Sequence, residues 1–236
     1  MKNNQQFKII FWDLDGTLIS LMIAEKNGIK NALYEIGLGN IYSDKLFNDY
    51  HLINKHCWEK LETKDMTLDE VYHARFRYLF DKYNINYDTL EFNKIYQKHM
   101  SNAVCEIDNS IKLLNELKPY VKHYITTNGT IEVQSNKIRI GGFDKIVDGI
   151  FISEETDHNK PDKRFFQYVL DHINEKVALD EILMVGDSQT SDMTGANNIG
   201  IKSCYVNREN EKIKDTVHID YCIDNIWEVK NIILNT

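Results

Sequence analysis

Two aspartates, Asp13 and Asp15, lie two residues apart at the point where an apolar run ends in a glycine. In an extended backbone, residues i and i+2 point to the same side, so both carboxylates can face one small site. Gly16 allows the chain to turn sharply directly after them. One carboxylate as nucleophile and a second as acid and base would suit the cleavage of a phosphate ester. Taken alone, an Asp-Gly pair also fits a hairpin or an Asx turn.

Two later segments offer groups that could bind a phosphate. Thr127 and Asn128 follow an apolar run and carry a hydroxyl and an amide that can donate to phosphate oxygens. Lys160 provides a compact positive charge, and we expect Pro161 to lie in the first turn of the following helix. Each segment has a simpler interpretation by itself, a turn for the first and a solvated charge for the second.

A further acidic segment offers groups that could bind a metal ion. Asp187 and Asp192 follow the apolar residues 182–185. Two carboxylates at the end of a strand suit a hard cation such as Mg²⁺. The alternative is that Asp187 or Ser188 caps a helix.

The elements that must position these groups are strands separated by helices. Apolar segments predict strands at 9–12, 121–127, 149–153, 182–185 and 202–206. Their alternation with helical stretches implies parallel pairing through right-handed crossovers. We therefore predict an α/β protein with a Rossmann-like three-layer core, in which the binding crevice lies at the carboxyl ends of the strands.

Residues 19–106 interrupt this alternation with helical periodicity only. Thr67-x-x-Glu70 and Asp88-x-x-Glu91 are typical helix starts, and about four helices would form a small bundle. We predict a core of residues 1–18 and 107–236 and an inserted helical cap, 19–106, hinged near 19–20 and 106–108. Most aromatic residues of the insertion should pack its own core.

The sequence also allows predictions about two arginines and the four cysteines. Arg75 and Arg77, in the insertion, are expected to be surface charges. The four cysteines are widely spaced without a Cys-x-x-Cys pair, which favours reduced, mostly buried thiols over a zinc site or a disulfide framework.

Composition limits the partners of this chain. The 236 residues include 28 basic and 36 acidic ones, a net charge of −8, without a long basic run, so polymeric nucleic acid is not an expected partner. No apolar stretch approaches the roughly 18 to 20 residues of a membrane span, and residues 1–6 lack a signal-peptide pattern. We expect a cytoplasmic protein that does not bind membranes. The sequence lacks the motifs that bind nucleoside triphosphates or dinucleotides and the zinc-binding motif of metalloproteases.

The order Asp-x-Asp, Thr-Asn, Lys-Pro and Gly-Asp with a second Asp resembles the haloacid dehalogenase superfamily of phosphohydrolases. The resemblance covers nearly the whole chain, and the insertion resembles the mobile cap of many members. Dehalogenases of the superfamily need no metal and lack the second acid, so Asp15 favours a phosphatase.

The resemblance implies a role for each motif residue. Asp13 would form an aspartyl phosphate, and Asp15 would protonate the leaving alcohol and then activate water. The Asp13 carboxylate, the Asp15 carbonyl and Asp187 would hold Mg²⁺. The remaining residues would assist, with Thr127 and Asn128 binding the phosphoryl group, Lys160 adding positive charge, and Asp192 supporting either the metal or Lys160.

Finer features resemble cytoplasmic nucleoside 5′-monophosphatases that prefer pyrimidine and noncanonical nucleotides. They are the segments 48–54 with Trp58, 75–80, 152–155, and 186–192 with Gly195, Asn197, Asn198 and Gly200. The expected partner is a small phosphorylated metabolite of this kind, with no implication for oligomeric state. A phosphatase for phosphoglycolate or a sugar phosphate, a phosphomutase and a catalytically silent binding module remain alternatives, since fold alone does not prove activity.

Overall fold

The computed structural model describes residues 6–235. It forms two compact units, one comprising the chain up to Ser20 and from Glu106 onward, the other Leu21–Cys105. The expected lack of a leader concerns residues 1–6, of which 1–5 lie outside the described residues.

One parallel sheet of six strands organises the first unit within residues 6–235, in the order β3-β2-β1-β4-β5-β6. The strands are β1 (Ile9–Trp12), β2 (Lys122–Thr127), β3 (Gly149–Ile152), β4 (Ile182–Gly186), β5 (Lys202–Val206) and β6 (Tyr221–Ile223). The predicted α/β architecture with a parallel sheet is confirmed. The three-residue strand β6 was not predicted, because it is too short to show a pattern.

Strand β1 occupies the middle of the sheet and is buried along its length. Ile9 pairs with Lys122 of β2 on one side and with Ile182 of β4 on the other. Both faces are covered, which explains why β1 is continuously apolar rather than alternating. The carboxyl ends of β1, β2 and β4 therefore lie side by side.

The α-helices of the first unit are interspersed with its strands along the chain. They are α5 (Ser110–Leu117), α6 (Ile131–Gly141), α7 (Lys163–His172), α8 (Thr194–Ile199) and α9 (Val229–Leu234). The placement of Pro161 in the first turn of α7 was wrong. Asp162 caps this helix by accepting a hydrogen bond from the Arg164 N–H at 3.0 Å, so that Pro161 lies just before the cap.

Four helices make up the second unit, Leu21–Cys105. They are α1 (Leu21–Glu35), α2 (Asp44–Glu62), α3 (Leu68–Tyr83) and α4 (Thr89–Asn102). Both predicted helix starts are present. Thr67 and Glu70 form a reciprocal capping box, and the Asp88 carboxylate accepts a hydrogen bond from the Glu91 N–H at 2.7 Å.

The prediction that Arg75 is a surface charge was wrong, whereas Arg77 is exposed. Arg75 is 2% exposed and donates to the side-chain oxygens of Asn54, at 3.1 Å, and of Asn93. The Asn54 amide in turn donates to the buried Glu25 carboxylate at 2.6 Å. A charged group inside a bundle requires such partners, and amides that neighbouring helices bring together are not visible in a local sequence pattern.

The four cysteines, all within residues 6–235, are thiols and not disulfides. Cys57 and Cys204 are buried, whereas Cys105 and Cys222 are exposed, so burial was predicted correctly for two of the four. Among the described residues, no helix has the length and apolar character needed to cross a membrane.

His123 joins β1, β2 and α5 inside the first unit. The Trp12 indole N–H donates to His123 Nδ1 at 3.0 Å, so His123 Nε2–H is the donor in the 3.0 Å contact with the Leu114 carbonyl. Burial of the ring lowers the pKa of His123 to about 4, although the bond to Leu114 opposes this. The imidazole is neutral in the fold.

We expect His123 to make the free energy of unfolding depend on pH between about 4 and 6.5. In this window the unfolded chain binds a proton that the folded ring excludes, so lowering the pH through it should cost about 3 kcal/mol. Urea unfolding of the wild type and of His123→Gln over this range would measure the difference. His56→Gln, at an exposed histidine, shows what loss of a surface histidine contributes. A wild-type-minus-variant difference that does not change with pH would contradict the assignment.

Candidate active site

The carboxyl edge of the sheet brings the predicted acidic and basic residues together. Asp13 follows β1, and Asp187 follows β4. Lys160 reaches them from the loop that precedes α7, and Asp192 from the single π-helical turn 189–193 that precedes α8. Neighbouring parallel strands therefore bring together Asp13 and Asp187, which are more than a hundred residues apart in sequence, and the loop and the π-helical turn add Lys160 and Asp192.

The Lys160 ammonium is the hub of this cluster and is 1% exposed. It donates to Asp13 Oδ1 at 2.8 Å, to Asp192 Oδ1 at 2.7 Å and to the Thr126 carbonyl at 2.7 Å. These three bonds use all of its N–H donors. Lys160 thus fixes the orientation of the Asp13 carboxylate and acts on any bound anion through its charge.

The cluster holds more negative than positive charge in a buried place. Burial raises the pKa of Asp13 to about 7, although the adjacent Lys160 opposes the rise. Burial and then repulsion from Asp13 raise the pKa of Asp187 well above its ordinary value. For Lys160 burial acts in the opposite direction, but the carboxylates of Asp13 and Asp192 outweigh it and raise the pKa of the ammonium.

The donor set fits a divalent cation. Carboxylate oxygens of Asp13, Asp187 and Asp192 lie within 4.8 Å of one another. When ionised, these three carboxylates and the Lys160 ammonium carry two net negative charges, which a divalent ion would balance. Oxygen ligands of this kind suit Mg²⁺.

Gly16 is required where the first motif approaches the metal-binding candidates. Its φ is +93°, and a Cβ there would overlap the Asp187 carboxylate. The next residue, Thr17, is fully buried, and its hydroxyl lies 3.1 Å from Asp13 Oδ2 and 3.4 Å from Asp187 Oδ1. Thr17 therefore links the two carboxylates, a contact that the sequence analysis did not identify although Thr17 directly follows the Asp-x-Asp-Gly motif.

Asp192 is placed to hold Lys160. Its Oδ1 accepts from the Lys160 ammonium, and its Oδ2 accepts from the Ser188 N–H at 3.1 Å. Helix capping in this segment is performed by Ser188, whose hydroxyl accepts from the Ser191 N–H at 3.0 Å. The Asp187 side chain remains beside Asp13.

The side chains of Thr127 and Asn128 bind protein groups in this structure. Asn128 exchanges two hydrogen bonds with the Lys160 backbone, donating to its carbonyl at 3.0 Å and accepting from its N–H at 2.9 Å. The Thr127 hydroxyl accepts from Gln134 Nε2 at 2.6 Å. Asn128 therefore joins its loop to the loop that carries Lys160, and Thr127 joins the end of β2 to α6.

The Asp15 carboxylate belongs to a second ion pair at the same edge. Both of its oxygens lie 2.8 Å from Lys137 Nζ, and its Oδ2 also accepts from Gln134 Nε2 at 3.0 Å. Neither Lys137 nor Gln134 was predicted from the sequence as a site residue. Their signal was a lysine and a glutamine three residues apart, on the same side of α6 as Val133 and Ile138, which are apolar and buried.

Comparison with known proteins places these motifs in a family. Residues 9–206 match the haloacid dehalogenase-like hydrolase family. The HAD-hydrolase YfnB of Bacillus subtilis is 29% identical over 86% of this chain and 85% of its own. A crystal structure of YfnB bound to magnesium, described as revealing interdomain movement, superposes with a TM-score of 0.91 over 98% of this chain and 100% of YfnB, at 26% identity.

Two further relatives are described by their substrates. The pyrimidine 5′-nucleotidase PynA of Streptococcus pneumoniae is 29% identical over 85% of this chain and 84% of its own. The pyrimidine 5′-nucleotidase YjjG of Escherichia coli is 25% identical over 95% of this chain and 96% of its own.

We expect Gly16→Ala to disturb both stability and the binding of Mg²⁺. Gly142→Ala is the matched control: its φ is +76°, but an added Cβ there meets nothing within 4 Å among the described residues outside its own helix and chain neighbours. The control should cost only the left-handed strain of about 1–2 kcal/mol. Overlap with Asp187 should cost Gly16→Ala about 1–3 kcal/mol more and weaken Mg²⁺ binding about tenfold or more. Urea unfolding and titration calorimetry measure both, and equal effects of the two variants would contradict this placement of Asp187.

Proposed function

We propose that this chain, which belongs to the haloacid dehalogenase-like hydrolase family, is a magnesium-dependent phosphomonoesterase that works through an aspartyl phosphate. The observation that carries the proposal is the buried Asp13 carboxylate, held by Lys160 at 2.8 Å and Thr17 at 3.1 Å beside a second acid, Asp15. A carboxylate fixed in this way can attack phosphorus while its neighbour handles the proton.

In the first step, an oxygen of Asp13 attacks the phosphorus of the ester. The bond from phosphorus to the alcohol oxygen breaks, and Asp15 gives that oxygen its proton. In the second step, Asp15 accepts a proton from water as the water oxygen attacks the aspartyl phosphate. The bond to Asp13 breaks, which releases inorganic phosphate and restores both carboxyl groups.

Lys160 serves both steps through its position. Its ammonium stabilises the negative charge of the phosphoryl group and keeps the Asp13 carboxylate in one orientation. Asp192 holds Lys160 from the other side. We propose that Thr127 and Asn128 bind and orient the phosphoryl group, a role supported by their position on the loop that is bonded to Lys160.

Mg²⁺ would be held by the Asp13 carboxylate, the Asp15 carbonyl and Asp187. When bound, it reduces the repulsion between an anionic nucleophile and a phosphate dianion. The proposal is supported by the acidic cluster of this chain and by the magnesium bound in YfnB.

The proposed substrate is a pyrimidine nucleoside 5′-monophosphate in the cytoplasm. This is supported by PynA and YjjG, both pyrimidine 5′-nucleotidases that align with most of this chain. The test is Mg²⁺-dependent phosphate release from nucleoside monophosphates, phosphoglycolate and sugar phosphates. Preference for pyrimidine monophosphates is expected. Preference for another ester would contradict the substrate assignment while keeping the chemistry, and return of the phosphate to a substrate alcohol would indicate a phosphomutase.

Asp13→Asn should reduce phosphate release on the order of 10⁴-fold or more, because an amide cannot form the acyl phosphate intermediate. Asp144→Asn, at an exposed aspartate of the same unit, is the matched control and should keep the wild-type rate. Circular dichroism and urea unfolding establish that both variants are folded. Phosphate release by folded Asp13→Asn at a wild-type rate would contradict the assignment of the nucleophile.

A further inference from the structure

The ion pair between buried Lys137 and partly buried Asp15 lies at the edge of the sheet where the candidate site is. Lys137 is 1% exposed, and its ammonium contacts both Asp15 oxygens at 2.8 Å. Removing a lysine from water is costly, and a buried ion pair often stabilises a fold no better than apolar residues do. The position of the buried Lys137 beside Asp15 therefore points to a role in the site rather than in stability alone.

We propose that Lys137 and Gln134 are positioning residues that fix the Asp15 carboxyl for proton transfer to the leaving alcohol. The inference rests on the proposed function, because it concerns the acid of that reaction. Lys137 itself need not touch the substrate. It acts by holding Asp15 in one place while the alcohol oxygen departs.

The hydrogen bonds distinguish the two oxygens of Asp15. Oδ2 accepts from Lys137 and from Gln134, at 2.8 and 3.0 Å, which occupies both of its lone-pair directions. Among the described residues, Oδ1 accepts a side-chain hydrogen bond from Lys137 alone. Oδ1 thus keeps one lone-pair direction for a proton, and we assign it as the atom that carries the proton.

Helix α6 carries both Gln134 and Lys137 and holds them in fixed positions. Thr130 caps its first turn, and Gln134 and Lys137 are three residues apart on one side of it. Gln134 Nε2 also lies 2.6 Å from the Thr127 hydroxyl and 3.2 Å from the Asn128 carbonyl, and its second hydrogen is shared between these two acceptors. The same amide therefore connects the acid with the loop proposed to bind the phosphoryl group.

Lys137→Met tests the proposal through the dependence on the leaving group. An alkyl phosphate, the best one of the substrate panel, needs a proton on its departing oxygen, whereas p-nitrophenolate leaves without one. The kcat/KM reports all steps up to departure of the alcohol. General acid catalysis contributes roughly 10²- to 10⁴-fold, so loss of its positioning should lower kcat/KM for the alkyl ester about 10- to 100-fold. For p-nitrophenyl phosphate the loss should stay below about threefold, because no acid is needed.

Lys145→Met, at an exposed lysine of the same unit, is the matched control and should change neither rate. Lys137→Met leaves Asp15 as a partly buried carboxylate without its cation, so we add a pair of variants that lacks this carboxylate. Asp15→Asn and Asp15→Asn/Lys137→Met should show the same kcat/KM for the alkyl ester within about twofold, since residues that act as one unit are not additive.

Three results would overturn the inference in different ways. Equal losses for the alkyl and aryl esters in Lys137→Met would show a general structural effect and leave the proposed function standing. A further loss on adding Lys137→Met to Asp15→Asn would show that Lys137 acts by another route. A wild-type protein that releases phosphate from neither ester would remove the proposed function, and this inference with it.

Discussion

The structure depends on placing several carboxylates together in a buried site without losing the fold to their repulsion. Asp13 and Asp192 share the Lys160 ammonium, at 2.8 and 2.7 Å, and Asp187 lies within reach of both. Asp13 and Asp187 follow parallel strands that end at one edge of the sheet, and Lys160 and Asp192 come from a loop and a π-helical turn at the same edge. The close approach leaves no room for a Cβ at Gly186, which would overlap the Asp192 carboxylate. The small residues, the strand order and the Lys160 charge thus together allow these carboxylates to lie close to one another.

A division of labour follows from having two buried lysines. Lys160 comes from the loop before α7 and holds the group assigned as nucleophile, Asp13. Lys137 comes from α6 and holds the group assigned as acid, Asp15. The two carboxyl groups are two residues apart in sequence, yet each has its own cation. Different environments for neighbouring carboxyls are the usual means by which one site supplies both a nucleophile and a proton donor.

The parallel sheet could be predicted from the sequence, because buried parallel strands are continuously apolar and their carboxyl ends meet at one edge, where Asp13, Asp187 and Lys160 lie together. The sequence could not predict side-chain contacts between different elements outside these motifs, such as Lys137 of α6 with Asp15. The misplacement of Arg75 at the surface has the same origin, since its amide partners lie on other helices. The Thr-Asn motif likewise gave no indication that the Asn128 amide is hydrogen-bonded to the Lys160 backbone.

A covalent phosphate at Asp13 is the central feature of the proposed mechanism. The protein would be mixed with the best substrate and Mg²⁺, quenched rapidly during turnover and treated with borohydride. Borohydride reduces an aspartyl phosphate to homoserine, and peptide mass spectrometry then locates the modified residue. We predict homoserine at position 13 and at no other aspartate. Modification of a different residue, or none while phosphate is released at the full rate, would contradict the account.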